Sequence, residues 1–225
     1  MKPMKRTTTF PTPTHFGSLF AVAAAGLIAG CSDPADNVSK TTATDAKQAA
    51  KPAPAAKDYV IRAESTIGFV GSKVTGRHNG GFKKFAGKVS ATDGKIAAGE
   101  VKIAMDSTWS DNGRLTGHLK SPDFFDTAKY PTASFTVTDI QSNTTNKSVT
   151  GNLDLHGVTK SITFPADIQV ADDAVTVKAE FAINRRDFNI NYSGKANDLI
   201  RDNVVLKLDV KATPGEPRPE DQLAN

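Results

Sequence analysis

The sequence contains a single cysteine, Cys31, and no apolar run as long as a membrane-spanning helix. One cysteine excludes an intramolecular disulfide framework, a multi-cysteine zinc site and an iron–sulfur cluster. The apolar stretch at residues 16–30 is shorter than the roughly 20 residues that a spanning helix needs. A strong charge of one sign is also absent, because Lys2, Lys5 and Arg6 carry most of the formal net charge of +4. The nearly neutral remainder excludes the basic surface that nucleic-acid binding requires.

What is present is enough material for a folded core. The chain has 225 residues, of which 38% are hydrophobic and 23% are charged. This length suits one ordinary domain or two small ones, and this composition excludes wholesale disorder.

The N-terminus has the pattern of an export signal. A basic segment precedes the apolar stretch, which suits the apolar region of a secretory signal better than a membrane span. Residues 28–31 (IAGC) resemble the lipobox of bacterial lipoproteins, in which a diacylglycerol is attached to the cysteine and the chain is cleaved just before it. We therefore expect residues 1–30 to be a lipoprotein signal peptide and Cys31 to be lipidated. The alternative is a small buried cysteine in a plain signal peptide or a core.

The flanking segments lack the residues that a core needs. Residues 31–57 are rich in Ala, Thr, Lys, Asp and Pro, and the first aromatic residue after them is Tyr59. Such a segment cannot bury enough apolar surface to offset its ordering entropy, so we expect a disordered, lipidated tether. Residues 214–225 contain three prolines and no apolar periodicity, and we expect a disordered tail.

Between these flanks, residues 58–213 show repeated alternation of apolar and polar residues. This pattern buries one face of each strand and is typical of antiparallel sheets. No helical pattern of useful length separates the strands, which argues against a parallel α/β sheet. Weaker strand signals lie at residues 59–63, 67–75 and 85–91. The alternating apolar positions are Val101, Ile103 and Met105; Ala133, Phe135 and Val137; Val149, Gly151, Leu153 and Leu155; Ile162, Phe164, Ala166, Ile168 and Val170; Val175, Val177, Ala179, Phe181 and Ile183; and Val204, Leu206, Leu208 and Val210.

Two stretches depart from the alternation. Residues 111–130 carry Leu115, Leu119 and the pair Phe124 and Phe125 at roughly helical spacing, which predicts a short helix and a turn across the sheet. Residues 80–84 (GGFKK) are most simply a mobile hairpin loop. About nine strands with one helical insertion leave two architectures open, a sandwich and a closed barrel.

Three motifs favour one family. They are residues 117–126 (GHLKSPDFFD) followed by 129–135 (KYPTASF), residues 151–160 (GNLDLHGVTK), and residues 183–190 (INRRDFNI). Their sequences, order and spacing closely resemble the YceI-like family of exported bacterial proteins, and the resemblance covers essentially all of residues 58–213.

The resemblance implies an all-β fold, an antiparallel lipocalin-like β-barrel with an interior pocket for a polyisoprenoid chain such as a quinone tail or a prenyl alcohol. An eight-stranded barrel is just wide enough for one slender ligand. The ligand-binding positions that we expect are four phenylalanines on the inward faces of different strands and two near the mouth: Phe85, Phe135, Phe164 and Phe181, with Phe124 and Phe125. An inward apolar stripe is equally what a barrel filled by its own side chains would show.

Catalytic motifs are missing. There is no His-Glu-x-x-His pair, no Gly-x-Ser-x-Gly turn and no phosphate-binding glycine loop. His156 suits a turn-stabilising hydrogen bond, His118 a packing or capping role, Asp123 the cap of the turn after it, and Arg185 with Arg186 a solvated pair.

We therefore expect a non-enzymatic lipid-binding lipoprotein, without cofactor or metal, held by Cys31 on the periplasmic side of the envelope. In the Gram-negative sorting rule an Asp directly after the cysteine retains a lipoprotein in the inner membrane, so Ser32 favours the outer membrane. Two alternatives remain open. One is a hydrolase or isomerase acting on such lipids, and the other is a ligand-free structural or stress-related interaction protein.

Overall fold

The computed structural model of the chain describes residues 1, 32–51, 55–142 and 147–223. Over these residues the chain forms strands joined by turns, short 3₁₀ helices and one α-helix, α1 (Gly113–Lys120). The strands in chain order are β1 (Ser39–Lys40), β2 (Thr44–Asp45), β3 (Lys57–Ile61), β4 (Thr66–Lys73), β5 (Gly76–Phe82), β6 (Phe85–Thr92), β7 (Lys95–Ala104), β8 (Thr108–Ser110), β9 (Thr132–Ser142), β10 (Lys147–Leu155), β11 (Val158–Pro165), β12 (Asp167–Val170), β13 (Val175–Asn184), β14 (Gly194–Lys195), β15 (Asp198–Leu199) and β16 (Asn203–Thr213).

One curved sheet contains nearly all of these strands. Antiparallel pairing runs from β11 through β10, β9, β7, β6 and β3 to β16, and from β16 it continues through β4 and β5 to β8. Strand β16 pairs with β3 and β4 along one edge and with β13 along the other. Within the described ranges no ladder joins β11 directly to β13, although β12, which continues β11, pairs with the start of β13. We call the unpaired stretch between β11 and β13 the seam.

The predicted alternation places apolar side chains on the inner face. Within β16, for example, Leu206 and Leu208 pack against the main hydrophobic core, whereas Lys207 points outward and is exposed. The all-β class, the antiparallel pairing and the single helical insertion are therefore confirmed. The ladder does not close around the molecule, so the barrel that we expected has an open seam.

Two glycines allow aromatic rings to lie flat across the neighbouring strand. A Cβ at Gly80 would lie 2.3 Å from Cζ of Phe69, and a Cβ at Gly151 would lie 2.2 Å from Cζ of Phe135. Any side chain at these positions would displace the ring, so the glycines hold both phenylalanines in the interior. The prediction of a mobile loop at residues 80–84 was wrong in its first part, because Gly80 and Gly81 pair with β4 and β8.

Helix α1 forms where the sequence predicted a helix. The side chain of Asn112 caps it by accepting a hydrogen bond from the amide of Leu115 at 3.0 Å, as N-cap residues do. The helix ends at Lys120, and Ser121 and Pro122 follow in extended or turn geometry. It lies at the end of the sheet that also holds the β4–β5 turn and residues 185–202, which we call the upper end. The lower end holds the turns at residues 93–94 and 171–174.

The prediction of a disordered tether at residues 31–57 was wrong for residues 32–51. This segment, which we call the strap, packs along the outer face of the sheet. Its strand β1 pairs in parallel with β13, and its strand β2 pairs antiparallel with β11, so the strap bridges the seam. Ala35 is fully buried against Val70, Ala182 and Val205. Alanine, threonine and aspartate can dock because the sheet supplies the apolar surface and the unpaired strand edges that the strap lacks.

The prediction of a disordered tail at residues 214–225 was also wrong for the part that the structure describes. A 3₁₀ helix, Pro219–Asp221, places Asp221 beside Arg62 at the end of β3. Arg62 Nη1 donates to Asp221 Oδ2 at 2.8 Å, and Arg62 Nη2 donates to the carbonyl oxygen of Pro214 at 2.9 Å. A charge pair formed across 159 residues leaves no trace in local periodicity.

Apart from Met1, the predicted signal peptide and Cys31 lie outside the described residues. None of the helices in the described ranges has the length and apolarity that a membrane span requires.

Candidate functional site

The upper half of the sheet encloses an apolar cavity of about 140 Å³. Strands from all around the sheet contribute to its wall, and α1 with the turn after it covers one side. We call it the upper cavity. Its lining includes Ile67, Phe69, Phe82, Ile103, Leu119, Phe124, Phe125, Leu153, Leu155, Ile183, Ile190, Ile200, Val204 and Leu206.

Three of the four phenylalanines in this wall pack against one another. The ring centroids of Phe69 and Phe82 are 5.8 Å apart. The ring centroid of Phe125 lies 6.4 Å from that of Phe69 and 6.1 Å from that of Phe82. These tilted and edge-on arrangements are the favourable ones for aromatic pairs. The amide of Phe125 donates to the carbonyl oxygen of Leu119 at 3.0 Å, which folds the turn after α1 back over the cavity.

The lower half of the sheet contains a second apolar cavity of about 90 Å³, the lower cavity. Several inward-facing residues here, such as Phe135, Val177 and Val210, are only half-buried although they lie inside the sheet. This residual accessibility means that side chains alone do not fill the interior. The lining includes Ile61, Val89, Ile96, Val101, Phe135, Val137, Ile140, Val149, Phe164, Val177, Leu208 and Val210.

An aromatic stack lies between the two cavities. The rings of Phe164 and Phe181 are parallel, with centroids 4.0 Å apart, and Phe135 lies 5.6 Å from Phe164. Phe164 is on β11 and Phe181 on β13, so the stack also closes the seam from the inside, opposite the strap. We call these three residues the aromatic partition.

The structure brings together most, but not all, of the predicted ligand-binding residues. Phe124 and Phe125 line the upper cavity, whereas Phe135 and Phe164 line the lower one. Phe181 lines neither cavity but stacks on Phe164, and Phe85 is a buried core residue that borders neither of them.

Two phenylalanines of the upper cavity were missed by sequence reasoning. Phe69 alternates with Ile67 in β4, a signal that could have identified it. Phe82 ends the glycine-rich strand β5, whose sequence carries no alternation.

A buried arginine stands at the upper end of the upper cavity. The side chain of Arg185 is only 4% exposed, and its guanidinium donates to the carbonyl oxygens of Ile190, Ile200 and Arg201 and to the carboxylate of Asp202. Burial lowers the pKa of this guanidinium. The expectation of a solvated Arg185–Arg186 pair was therefore wrong for Arg185, whose donors are used to fix the loop at residues 190–202. Arg186 does remain on the surface, where it binds the same carboxylate at 2.6 Å.

The candidate acid–base groups are also at the upper end. His118 Nε2 lies 2.8 Å from Asp123 Oδ2, and the His118 ring packs edge-on against Phe124 and Tyr192, with centroids 5.0 Å away in each case. The nearby hydroxyl of Ser121 donates to the carbonyl oxygen of His118 and not to its ring. This geometry holds the turn after α1 in place and does not form a nucleophile–base pair.

His156 joins two segments of the chain. It adopts a left-handed conformation, with φ 54°, at the turn between β10 and β11. Its Nδ1 lies 3.2 Å from the carbonyl oxygen of Phe188, and its ring packs on Tyr130. The hydrogen bond that we expected within the turn is therefore a bond to the 3₁₀ helix Arg185–Phe188. Within the described ranges, no group of three or more His, Cys, Asp or Glu residues is placed to hold a metal ion.

A larger cleft, of about 500 Å³, lies outside the sheet, between β6, β7 and the C-terminal segment. Its walls carry both signs of charge, from Asp58, Lys88, Glu100 and Lys102. These mixed charges do not favour an apolar ligand. The two interior cavities, whose walls are apolar, are therefore the better candidates for a ligand site.

The sequence of this chain matches a known protein family. A family model described as the YceI-like domain matches residues 59–212. Protein YceI of Escherichia coli is 35% identical over 149 residues, which are 60% of this chain and 77% of that protein.

Two solved structures share the fold. BcnA of Burkholderia cenocepacia has a TM-score of 0.60 at 24% identity, covering 67% of this chain and 98% of its own. A polyisoprenoid binding domain from Saccharophagus degradans, implicated in plant cell wall breakdown, has a TM-score of 0.58 at 20% identity, covering 71% of this chain and 99% of its own.

Proposed function

Because this chain belongs to the YceI-like family, we propose that it holds a polyisoprenoid or a similar long apolar lipid inside its sheet, as a carrier or store and not as an enzyme. A quinone tail or a prenyl alcohol has the required chemistry. The single observation that carries this proposal is the upper cavity, whose enclosed wall consists of apolar side chains with charged groups only at its upper end.

The energetics of such a site need few polar contacts. Each buried methylene contributes about 0.8 kcal/mol, so a chain of several isoprene units gains enough to offset the cost of immobilising it. Isoprenoid chains are slender and branched by single methyl groups, which suits a cavity lined by Ile, Leu, Val and Phe.

The size of the cavities limits what binds without rearrangement. Pockets for small molecules usually measure about 300–1,000 Å³, whereas the upper and lower cavities measure about 140 and 90 Å³. A long chain would therefore have to join the two by moving the aromatic partition, and rotation of Phe164 away from Phe181 is the simplest such movement.

The enzymatic alternative has one observation in its favour, the His118–Asp123 pair near the upper cavity. Hydrolysis would also need a nucleophile or a bound water directed at the substrate by that pair. The contacts of the His118 ring are with a carboxylate and two aromatic rings, so a structural role accounts for the pair without a reaction.

We further propose that Cys31 is acylated and anchors the protein on the periplasmic side of the envelope, at the outer membrane. The lipobox-like residues 28–31 and the serine at position 32 support this location. The anchor would keep the cavity close to a source of membrane lipid.

The test fills the upper cavity and measures the bound lipid. The parent protein is purified from its native host, and its lipid is extracted and identified by mass spectrometry. Val204 borders the upper cavity, and Val204→Phe should lower the lipid content at least roughly tenfold, equivalent to about 1.4 kcal/mol. Lys207→Phe adds the same ring to the outer face of the same strand and should leave the lipid content unchanged.

Two results would contradict the proposal. The first is a parent protein that carries no apolar lipid and takes none up, which would favour the ligand-free structural alternative. The second is equal lipid content in both variants, which would place the lipid outside the upper cavity.

A further inference from the structure

Two large apolar side chains are exposed side by side at the upper end. Val74, in the β4–β5 turn, is 53% exposed, and Leu199, at the end of β15, is 51% exposed. The amide of Val74 donates to the carbonyl oxygen of Leu199 at 3.1 Å, so the two residues belong to one surface. We call this pair the apolar tip. Single exposed apolar residues are common on soluble proteins, and here two of them are adjacent on neighbouring turns.

Cationic residues surround the apolar tip. Residues 73–77 and 193–201, the two segments that carry it, contain Lys73, Arg77, Lys195 and Arg201 but only one carboxylate, Asp198. That carboxylate is bound by Lys73 and Thr75, and Arg201 pairs with Asp33, so the net positive charge of this surface comes from Arg77 and Lys195. Apolar side chains with basic neighbours are the combination that binds an anionic lipid surface, because burial of the first and attraction of the second act together.

The same two segments border the upper cavity. Gly71 and Ser72, just before the β4–β5 turn, line it from one side, and Ile200 and Arg201 line it from the other. The amide of Arg201 donates to the carbonyl oxygen of Ser72 at 2.9 Å and holds the two segments together. The apolar tip therefore lies next to the wall at the upper end of this cavity.

The strap begins at this end as well. Asp33 Oδ2 lies 3.7 Å from Arg201 Nη1, and Ser32 is the residue before it. A lipid on Cys31 would be two residues from Asp33, no more than about 7 Å of chain. Because the strap is docked here, an acyl anchor just before it would tether this end of the domain to a membrane.

We propose that the apolar tip docks on an anionic phospholipid membrane and holds the upper end of the cavity against the bilayer, so that apolar lipid passes directly between the two. The transfer step rests on the function proposed above, whereas membrane docking can be tested without it.

The test uses the full chain with Cys31→Ser, so that an acyl anchor does not mask the contribution of the apolar tip. Its flotation is measured with vesicles of phosphatidylethanolamine and phosphatidylglycerol that contain a long-tailed ubiquinone. Adding Val74→Ser and Leu199→Ser should weaken both flotation and ubiquinone uptake by at least roughly tenfold. Adding Arg77→Gln and Lys195→Gln instead should weaken flotation at low salt. At high salt these substitutions should have little effect, because the salt screens the same two charges in the parent.

The matched control is Trp109→Ser. Trp109 is an exposed apolar residue, 38% accessible, on the edge strand β8, where it lies opposite Gly81 and away from the β4–β5 turn. This control should float and take up ubiquinone as the parent does. Circular dichroism and melting curves of every variant confirm that the fold is retained.

Loading from detergent separates the two proposals. If the double serine variant takes up ubiquinone from micelles as the parent does but not from vesicles, the apolar tip acts in membrane docking alone, as we propose. If no protein, the parent included, is loaded from micelles, the proposed lipid-binding function fails while flotation still decides the docking. Flotation of the double variant equal to that of the parent, or a parent that does not float, overturns the docking proposal. The docking proposal is also overturned if analytical ultracentrifugation shows that the parent is a dimer and that the double serine variant is a monomer.

Discussion

Asp221 shows how one carboxylate fixes the C-terminal segment to the sheet. It is 2% exposed and accepts hydrogen bonds from Arg62, from the amide of Ala63 and from both the amide and the side chain of Arg218. The hydrogen bond from the Arg218 side chain is the main cause that lowers the pKa of Asp221, with Arg62 contributing as well. A buried carboxylate is stable only with partners of this kind, and losing it would leave Arg62 enclosed without its counter-charge.

We predict that the C-terminal segment is released by Asp221→Asn and, in the parent, by acid. Because the pKa is lowered on folding, the stabilisation is fully present above the ordinary carboxylate pKa of about 3.9. It is lost as the pH falls from there through the lowered native value. The amide resonance of Ala63 and protease cleavage within residues 214–223 report the release.

The matched control for this prediction is Glu64→Gln. Glu64 binds the same Arg218 at 3.1 Å, but its side chain is 60% exposed. Exposed ion pairs contribute at most about 1 kcal/mol, so this variant should keep the segment docked. The prediction would be contradicted if the Asp221→Asn protein kept the segment docked at neutral pH and released it in acid over the same pH range as the parent.

The strap is an element whose order depends entirely on its partners. Its two strands contain two residues each, far too few to be stable alone. Between them the amide of Thr41 donates to the carbonyl oxygen of Ala182 at 2.8 Å, and further along the amide of Ala50 donates to that of Val137 at 3.0 Å. The first bond satisfies a backbone carbonyl of β13 at the seam, and the second satisfies one of β9, beyond the seam.

We predict that Ala35→Asp undocks the strap. The new carboxylate would be enclosed by apolar side chains, and releasing the segment costs less than burying an unpaired charge. We expect a loss of about 1–3 kcal/mol in the free energy of unfolding, a lower melting midpoint and proteolysis within residues 32–51, mapped by mass spectrometry.

The same substitution at an exposed position of the strap is the control. Ala46, just after β2, is exposed, so Ala46→Asp should change neither the melting midpoint nor the protease sensitivity. If Ala35→Asp behaved in the same way, the packing of Ala35 would not hold the strap.

At the scale of the whole molecule, the cavity, the strap and the apolar tip share one end. The upper end combines the part of the cavity wall formed by Ser72 and Arg201 with the start of the strap at Ser32. The lower end carries the short turns at residues 93–94 and 171–174. This polarity gives the proposed anchor at Cys31 a defined direction relative to the cavity.

We predict that Cys31→Ser moves the protein from the membrane fraction to the soluble envelope fraction. Fractions washed at high salt report the acyl anchor alone, because salt weakens any attraction between the basic residues and the membrane. Intact mass of the parent should show added acyl groups. Ser32→Asp, which keeps the cysteine, should retain the protein in the inner membrane. A Cys31→Ser protein that still sediments with salt-washed membranes would contradict the proposed lipidation.

Local patterns were sufficient for the sheet and for part of the cavity. Alternation identified strands such as β13 and β16 because a strand with one buried face must repeat every second residue. The spacing of Leu115 and Leu119, with the two phenylalanines at 124–125, identified α1 and its turn. Inward phenylalanines such as Phe135 and Phe164 followed from the same alternation, together with the resemblance to the YceI-like family.

The tertiary structure decided what depends on contacts between distant residues. Phe82 joins the cavity only because the glycine-rich strand β5 pairs with β4 and β8. The strap and the C-terminal segment lack apolar periodicity and were therefore predicted to be disordered. They are ordered because the sheet offers each a partner, Val205 for Ala35 and Arg62 for Asp221. The sequence by itself determined which face of an alternating strand, such as β13 or β16, lies inside, since that depends on neighbouring residues. Which segments close the seam and reach the upper end is set by pairings across more than a hundred residues, and only the folded chain brings those partners together.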